Sequence, residues 1–267
     1  MSEYPADILV DVEWLGHHLN DPQMRLLDVR ASDPRLPMGY RMGHIPQAVA
    51  LDVGRDFFVF AQGAREPAEP EQIAQALAQR GITNDTRIVL YDEWTGQLAT
   101  FTYWVLRYIG HRDIKILHGG WAAWQSAKGE TTREIPSVAP ATYHAQPDEN
   151  ARATAEWIQA NTERPDVLLL DARTDGEYAM GHIPGAVNLP YDFSLEMRTQ
   201  TFRDAAALKA DLETVGATPD KEIVVYCASG ARSSHMFTTL QLLGYPRVRN
   251  YDGSMNDWYQ LRGLPVE

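Results

Sequence analysis

The motifs of this chain recur in the same order, and that recurrence constrains the fold more than any other feature of the sequence. Leu26-Leu27-Asp28-Val29-Arg30 returns as Leu169-Leu170-Asp171-Ala172-Arg173. Gly43-His44-Ile45-Pro46-Gln47-Ala48-Val49 returns as Gly181-His182-Ile183-Pro184-Gly185-Ala186-Val187, and Ile88-Val89-Leu90-Tyr91 as Ile223-Val224-Val225-Tyr226. Gly119-Gly120-Trp121 has a looser partner in Asp252-Gly253-Ser254. Spacing differs mainly by a short insertion around Asp33 to Tyr40. Four ordered matches define a duplicated domain, and 267 residues accommodate two domains at roughly 150 residues each. The division runs 1–128, a Pro-containing linker 129–150 with little periodicity, and 151–267.

Within each copy, short apolar runs alternate with segments of helical spacing. Strands are expected at Leu26–Val29, Arg87–Tyr91 and Ile114–Leu117, then at Asp166–Leu170, Glu222–Tyr226 and Val248–Tyr251. Helices are expected at Glu71–Gln79, Gln97–Ile109, Ala205–Thr214 and Ala231–Leu243, the last with Met236, Phe237, Leu240 and Leu243 on one face and Gly244 as its stop. Alternation of this length predicts an α/β fold, each domain a mostly parallel sheet with helices on both faces.

Charge and composition narrow the function classes. The formal net charge is −12, from 24 Lys+Arg against 36 Asp+Glu. Such a field opposes non-specific nucleic-acid or anionic-membrane binding, so neither partner is expected. No apolar run reaches the ~20 residues of a membrane span, and the acidic start Met1-Ser2-Glu3 does not resemble a signal peptide. A cytoplasmic location follows as the expectation. With a single cysteine, the chain forms no internal disulfide and no Cys-rich metal site. No His, Asp or Glu spacing resembles a metal-ligand set, and no cofactor is called for.

That cysteine, Cys227, follows the strand Ile223–Tyr226 and opens the run Cys227-Ala228-Ser229-Gly230-Ala231-Arg232-Ser233-Ser234 ahead of a helix. Open α/β sheets place ligands at the carboxyl ends of their strands. Small residues let the backbone curl so that several N–H groups face one centre, at the positive end of a helix dipole. A thiol so placed is favoured as the nucleophilic thiolate. Arg232 adds a cation suited to an oxyanion. In the first copy Asp92 takes the position of Cys227, followed by bulkier residues, and it cannot carry sulfur.

The paired Asp-x-Arg and Gly-His-Ile-Pro-x-Ala-Val blocks, the strand ending in Cys227 and the Gly-Gly-Trp segment resemble the rhodanese family across nearly the whole chain. The arrangement is similar to its tandem-domain sulfurtransferases, with an inactive first copy and an active second one. That resemblance implies a ping-pong reaction in which the cysteine takes sulfur from a small-molecule donor as a persulfide and passes it to cyanide or a thiol acceptor. It also implies a substrate-binding set of Arg232, Arg173, Ala228, Ser229, Gly230, Ala231 and Ser233 around the catalytic Cys227. Mercaptopyruvate enzymes of the family resemble Cys-Gly-Ser-Gly-Val-Thr in this loop. Ser229 and Gly230 match, but Arg232 stands outside that pattern and suits the sulfonate-like end of thiosulfate. Thiosulfate is the expected donor and 3-mercaptopyruvate the alternative.

Several residues keep two readings. Arg173 either approaches the pocket or forms a salt bridge that fixes its loop. His44 and His182, being duplicated, read as turn-pinning residues, although some mercaptopyruvate enzymes suggest an Asp33, His44 and Ser229 set. Trp94, Trp121, Trp124 and Trp258 read as core or pocket-wall aromatics. His235 either adds a positive edge or sits on an exposed helix face. Two rival functions differ in class. Cysteine phosphatases and arsenate reductases share this kind of fold and a Cys…Arg loop, but their loop is one residue longer than the four residues Ala228 to Ala231. A persulfide carrier serving a protein acceptor would use the same loop.

Overall fold

The computed structural model describes residues 4–30, 39–61, 64–93, 96–199 and 201–267. These form two compact units, Ile8–Asp148 and Glu149–Glu267, the second joined by the amino-terminal residues up to Asp7. In the first unit five parallel strands lie in the order Leu9–Val10, Ile114–Leu117, Arg87–Tyr91, Met24–Asp28, Val49–Ala50. Four strands of the second unit repeat it: Val248–Asn250, Glu222–Tyr226, Val167–Asp171, Val187–Asn188, again all parallel. The missing edge strand survives as a single parallel bridge between Arg152 and Asn250.

These strands form where apolar runs can be buried on both faces, as parallel sheets require. Every residue of Glu222–Tyr226 is buried. The cores use equivalent positions: Leu26, Ile45, Val89 and Trp124 in one cluster, Leu169, Ile183, Val224 and Trp258 in the other. Helices Gln97–Tyr108 and Ala231–Leu242 follow the two central strands. The second of these is not the one-faced helix its Met236/Phe237/Leu240/Leu243 spacing suggests. Ser233 to Leu240 are all buried, and hydroxyls of that stretch bond to carbonyls one turn back, as in Thr238 to Ser234 O at 2.9 Å and Thr239 to His235 O at 2.9 Å.

Small antiparallel hairpins, Phe58–Ala61 with Ala64–Pro67 and Leu195–Glu196 with Thr201–Phe202, occupy matching places in the two copies. The stretch 129–148, linker-like in composition, is hydrogen-bonded along the first unit: Thr132 exchanges two backbone bonds with His44, and Gln146 N donates to Ile109 O. Glu267 exchanges the same pair of bonds with His182 in the second unit. One detail of the repeat changes in register. Ser254 (φ 54°) matches Gly120 (φ 53°), and Met255 N donates to Cys227 O where Trp121 N donates to Asp92 O. The partner of Gly119-Gly120-Trp121 is therefore Gly253-Ser254-Met255, one residue later than the sequence alignment gives.

Candidate active site

Cys227 is the first residue beyond the strand Glu222–Tyr226, and it is 1% exposed. Its backbone is held from two sides: its N–H donates to Ser254 Oγ at 3.0 Å, and its carbonyl accepts from Met255 N at 3.1 Å. The loop then turns back so that Gly230 N–H donates to Cys227 Sγ at 3.2 Å. The turn closes at Gly230, whose φ of +93° is a left-handed conformation open to glycine. A Cβ there would also lie 2.9 Å from Asp252 O. Helix Ala231–Leu242 starts at the next residue, so the sulfur sits at the positive end of a 12-residue helix dipole.

Ser254 is a site residue that composition and spacing do not reveal. Its hydroxyl donates to Tyr251 O at 2.8 Å, accepts the Cys227 N–H, and lies 3.9 Å from Sγ. The signal available was its place beside a glycine in the looser repeat block, hidden by the one-residue slip.

Of the loop residues, Ala228 and Ala231 are half-buried and Ser229 is exposed. Ser233 turns its hydroxyl to Gly230 O at 3.0 Å, joined by Ser234 at 2.7 Å, so both brace the turn. Arg232 is engaged by Glu177 through two bonds, Nη1 to Oε2 at 2.5 Å and Nη2 to Oε1 at 2.7 Å. That guanidinium, together with the Thr174 hydroxyl and amide, holds the Glu177 carboxyl down at about 2. Glu177 is also the third helical residue of a capping box on Asp175–Ala179.

Arg173 is held in a buried ion pair with Asp171. Its Nε and Nη2 bond to Asp171, and Nη2 also donates to Gly181 O at 2.8 Å. Arg30 makes the same bonds to Asp28 and Gly43 O in the first unit, where no cysteine exists. The Asp-x-Arg block thus ties the end of a strand to the Gly-His-Ile-Pro loop in both copies.

The histidines behave likewise. His44 is fully buried, stacks on Tyr40 at 3.9 Å and places its ring nitrogens against Tyr40 O and Glu134 O. His182 stacks on Tyr178 at 3.7 Å. Asp33 and Trp94 lie outside the described residues. Trp121, Trp124 and Trp258 are buried core residues, the last two donating to the carbonyls of Glu130 and Pro265. His235 sits on no exposed face: it is fully buried, stacked on Phe202 with Tyr191 at its edge, and 3.3 Å from Ser194 Oγ. It is a packing residue because the helix is buried from Ser233 to Leu240.

In the first copy, Asp92 fills the corresponding cradle with its own carboxylate. Oδ2 accepts from Leu98 N at 3.0 Å and Ala99 N at 3.1 Å, at the start of helix Gln97–Tyr108. Burial raises this carboxyl to about 7 against those two bonds.

Fold and site together define a class: a tandem α/β protein with a lone cysteine at a strand end, cradled at a helix N-terminus. The Rhodanese-like domain family matches residues 11–127 and 154–261. A sulfur carrier protein of Thermus thermophilus is 35% identical over 97% of this chain and 96% of its own length. A thiosulfate sulfurtransferase of Corynebacterium glutamicum is 31% identical over 97% of this chain and 90% of its own. The crystal structure of a 3-mercaptopyruvate sulfurtransferase-type protein, SseA of Escherichia coli, superposes with a TM-score of 0.83 at 28% identity, covering 93% of this chain and 99% of that one. The chain belongs to the rhodanese family and is a sulfurtransferase.

The turn at Gly230 yields a direct prediction. Gly230→Ala introduces left-handed strain and a clash with Asp252 O, costing about 1–2 kcal/mol of stability by urea titration. It also moves the Gly230 amide that donates to Sγ, so sulfur transfer is expected to slow by about tenfold or more.

Proposed function

We propose that the protein moves a sulfane sulfur from thiosulfate through a persulfide on Cys227 to cyanide or a thiol, releasing sulfite. The observation that carries this reading is the Gly230 N–H aimed at Sγ, in the one copy that has a sulfur to aim at. The Cys227 thiolate attacks the outer sulfur of the donor. The new Sγ–S bond forms as the donor S–S bond breaks, and its electron pair leaves on sulfite. An acceptor nucleophile then takes the outer sulfur, returning the thiolate, with no net oxidation of the protein. The Gly230 amide and the helix dipole stabilise the anionic sulfur in both half-reactions. Arg232 at the loop's end supports a sulfonate-bearing donor, and the Corynebacterium glutamicum and Pseudomonas aeruginosa relatives are both named thiosulfate sulfurtransferase. We assign Arg173 to the loop rather than to the donor. A reducing cytoplasm, which keeps the thiol free, suits this chemistry.

A second reading draws on the Thermus relative, named a sulfur carrier protein: the persulfide passes to a protein thiol. Side-by-side steady-state transfer to cyanide from thiosulfate and from 3-mercaptopyruvate tests the donor. The expected result is a thiosulfate preference of about tenfold or more in kcat/KM. A preference for mercaptopyruvate keeps Cys227 and removes the thiosulfate assignment. Slow turnover with both, alongside fast transfer from the loaded protein to protein thiols, favours the carrier reading.

A further inference from the structure

The duplicated fold serves as its own control. Features needed to build a copy occur twice: the Asp-x-Arg ion pair, the Tyr–His stack, and the hydroxyls of Thr100 and Ser234, each 2.7 Å from the glycine carbonyl that opens its helix. Among the described residues the Arg232–Glu177 pair occurs once. By the register of Gly96 with Gly230, Leu98 stands in the first copy where Arg232 stands in the second. By the register of Tyr40 with Tyr178, Gly39 stands where Glu177 stands. Neither charge is part of what the fold requires. Both belong to the copy with the cysteine.

The pair is built for more than surface solubility. Glu177 receives two Arg232 bonds on one side and bonds from the Thr174 amide (3.1 Å) and hydroxyl (2.9 Å) on the other. Its carboxylate is therefore fixed, and it fixes the guanidinium in turn. The side chains are 21% and 32% exposed, so the pair meets solvent. Arg232 stands two residues beyond Gly230, whose N–H donates to Cys227 Sγ at 3.2 Å.

We propose that Glu177 is a specificity-determining positioning residue: by occupying both outer nitrogens of Arg232 it sets how much negative charge the Cys227 site accepts. A dianion such as thiosulfate meets a neutralised arginine and a fixed carboxylate, and it gains Arg232 only in competition with Glu177. A donor with one carboxylate is penalised less. The same competition helps an anionic product to leave, because Glu177 reclaims the guanidinium. The inference rests on Cys227 being the sulfur-accepting thiol of this site.

Glu177→Gln is the informative variant, since glutamine retains the shape and the capping-box role while losing the charge. The readout is the ratio of kcat/KM for thiosulfate to that for 3-mercaptopyruvate. Active fraction and intrinsic thiol reactivity cancel in this ratio, so a merely structural loss does not move it. In E177Q the ratio rises about tenfold at low ionic strength, chiefly through the KM for thiosulfate, and the gain shrinks with added salt. Glu177→Asp, which restores the charge, returns the ratio to within about twofold of the parent. A ratio unchanged in E177Q, or one that falls, overturns the proposal. Alkylation of the single cysteine separates this from failure of the functional reading. In E177Q the rate with anionic iodoacetate relative to neutral iodoacetamide also rises about tenfold, because each ratio compares reagents that differ by one unit of charge. If the parent protein takes sulfur from neither donor, the functional reading falls, while the alkylation ratio still decides the role of Glu177.

Discussion

Replacing Cys227 by serine abolishes sulfur loading and reduces sulfur transfer to the level of a protein-free control. Intact-mass spectrometry of the parent after incubation with thiosulfate shows the gain of one sulfur atom, which cyanide removes; the variant shows no gain. The loss is total because there is no second thiol in the chain to take over. A serine hydroxyl fits the same cradle, with Gly230 N 3.2 Å and Ser254 Oγ 3.9 Å from the present sulfur. It does not ionise near neutral pH and cannot hold sulfane sulfur. Stability is expected to change by no more than about 1 kcal/mol, because the substitution is nearly isosteric and adds a hydroxyl within reach of donors already present. A fully folded C227S that still gained sulfur from thiosulfate would remove the persulfide mechanism altogether.

Much of this site is legible in the sequence because a strand, a cysteine, small residues and a helix are adjacent in the chain. The strand Glu222–Tyr226 and the helix Ala205–Thr214 coincide with their expected bounds, and both are continuous patterns bounded by clear stops. What sequence spacing does not carry is contact between distant segments. Arg232 is an evident cation, but nothing in its neighbourhood announces Glu177, 55 positions away. The capping-box pattern Thr174-x-x-Glu177 is readable, yet it accounts for Glu177 as a helix cap and so conceals its second partner. Arg173 offers the reverse case. It is two residues from Asp171, and a pair that close forms wherever the strand end is buried, which is why Arg30 repeats it. His235 misleads because a helix with serines and threonines on every side looks solvated. Burial with hydroxyls bonded back to the preceding turn leaves no polar pattern to read.

Asp92 supplies the second large effect, on stability rather than on chemistry. Its carboxyl is raised from an ordinary value of 3.8 to about 7, first by burial, with the Leu98 and Ala99 amides opposing. The folded first unit therefore binds this proton more tightly than the unfolded chain does. Between about pH 4 and pH 7 the native state holds more protons at this site, so stability falls as pH rises through that window and levels off above it. The shift of roughly three pH units corresponds to a penalty on the order of 4 kcal/mol at pH 8, little of which is felt at pH 4. Asp92→Asn removes the titration while its side-chain carbonyl still accepts both amides. Comparing urea midpoints of parent and D92N at pH 5 and pH 8 isolates the group, since every other titrating residue is common to both. The advantage of D92N is expected to grow by about 2–3 kcal/mol from the lower pH to the higher one. Parallel curves would mean that Asp92 is ionised in the folded protein throughout, with its two amide bonds outweighing burial. In that case the cradle at this helix start stabilises a full negative charge, which is the property the second copy needs at Cys227.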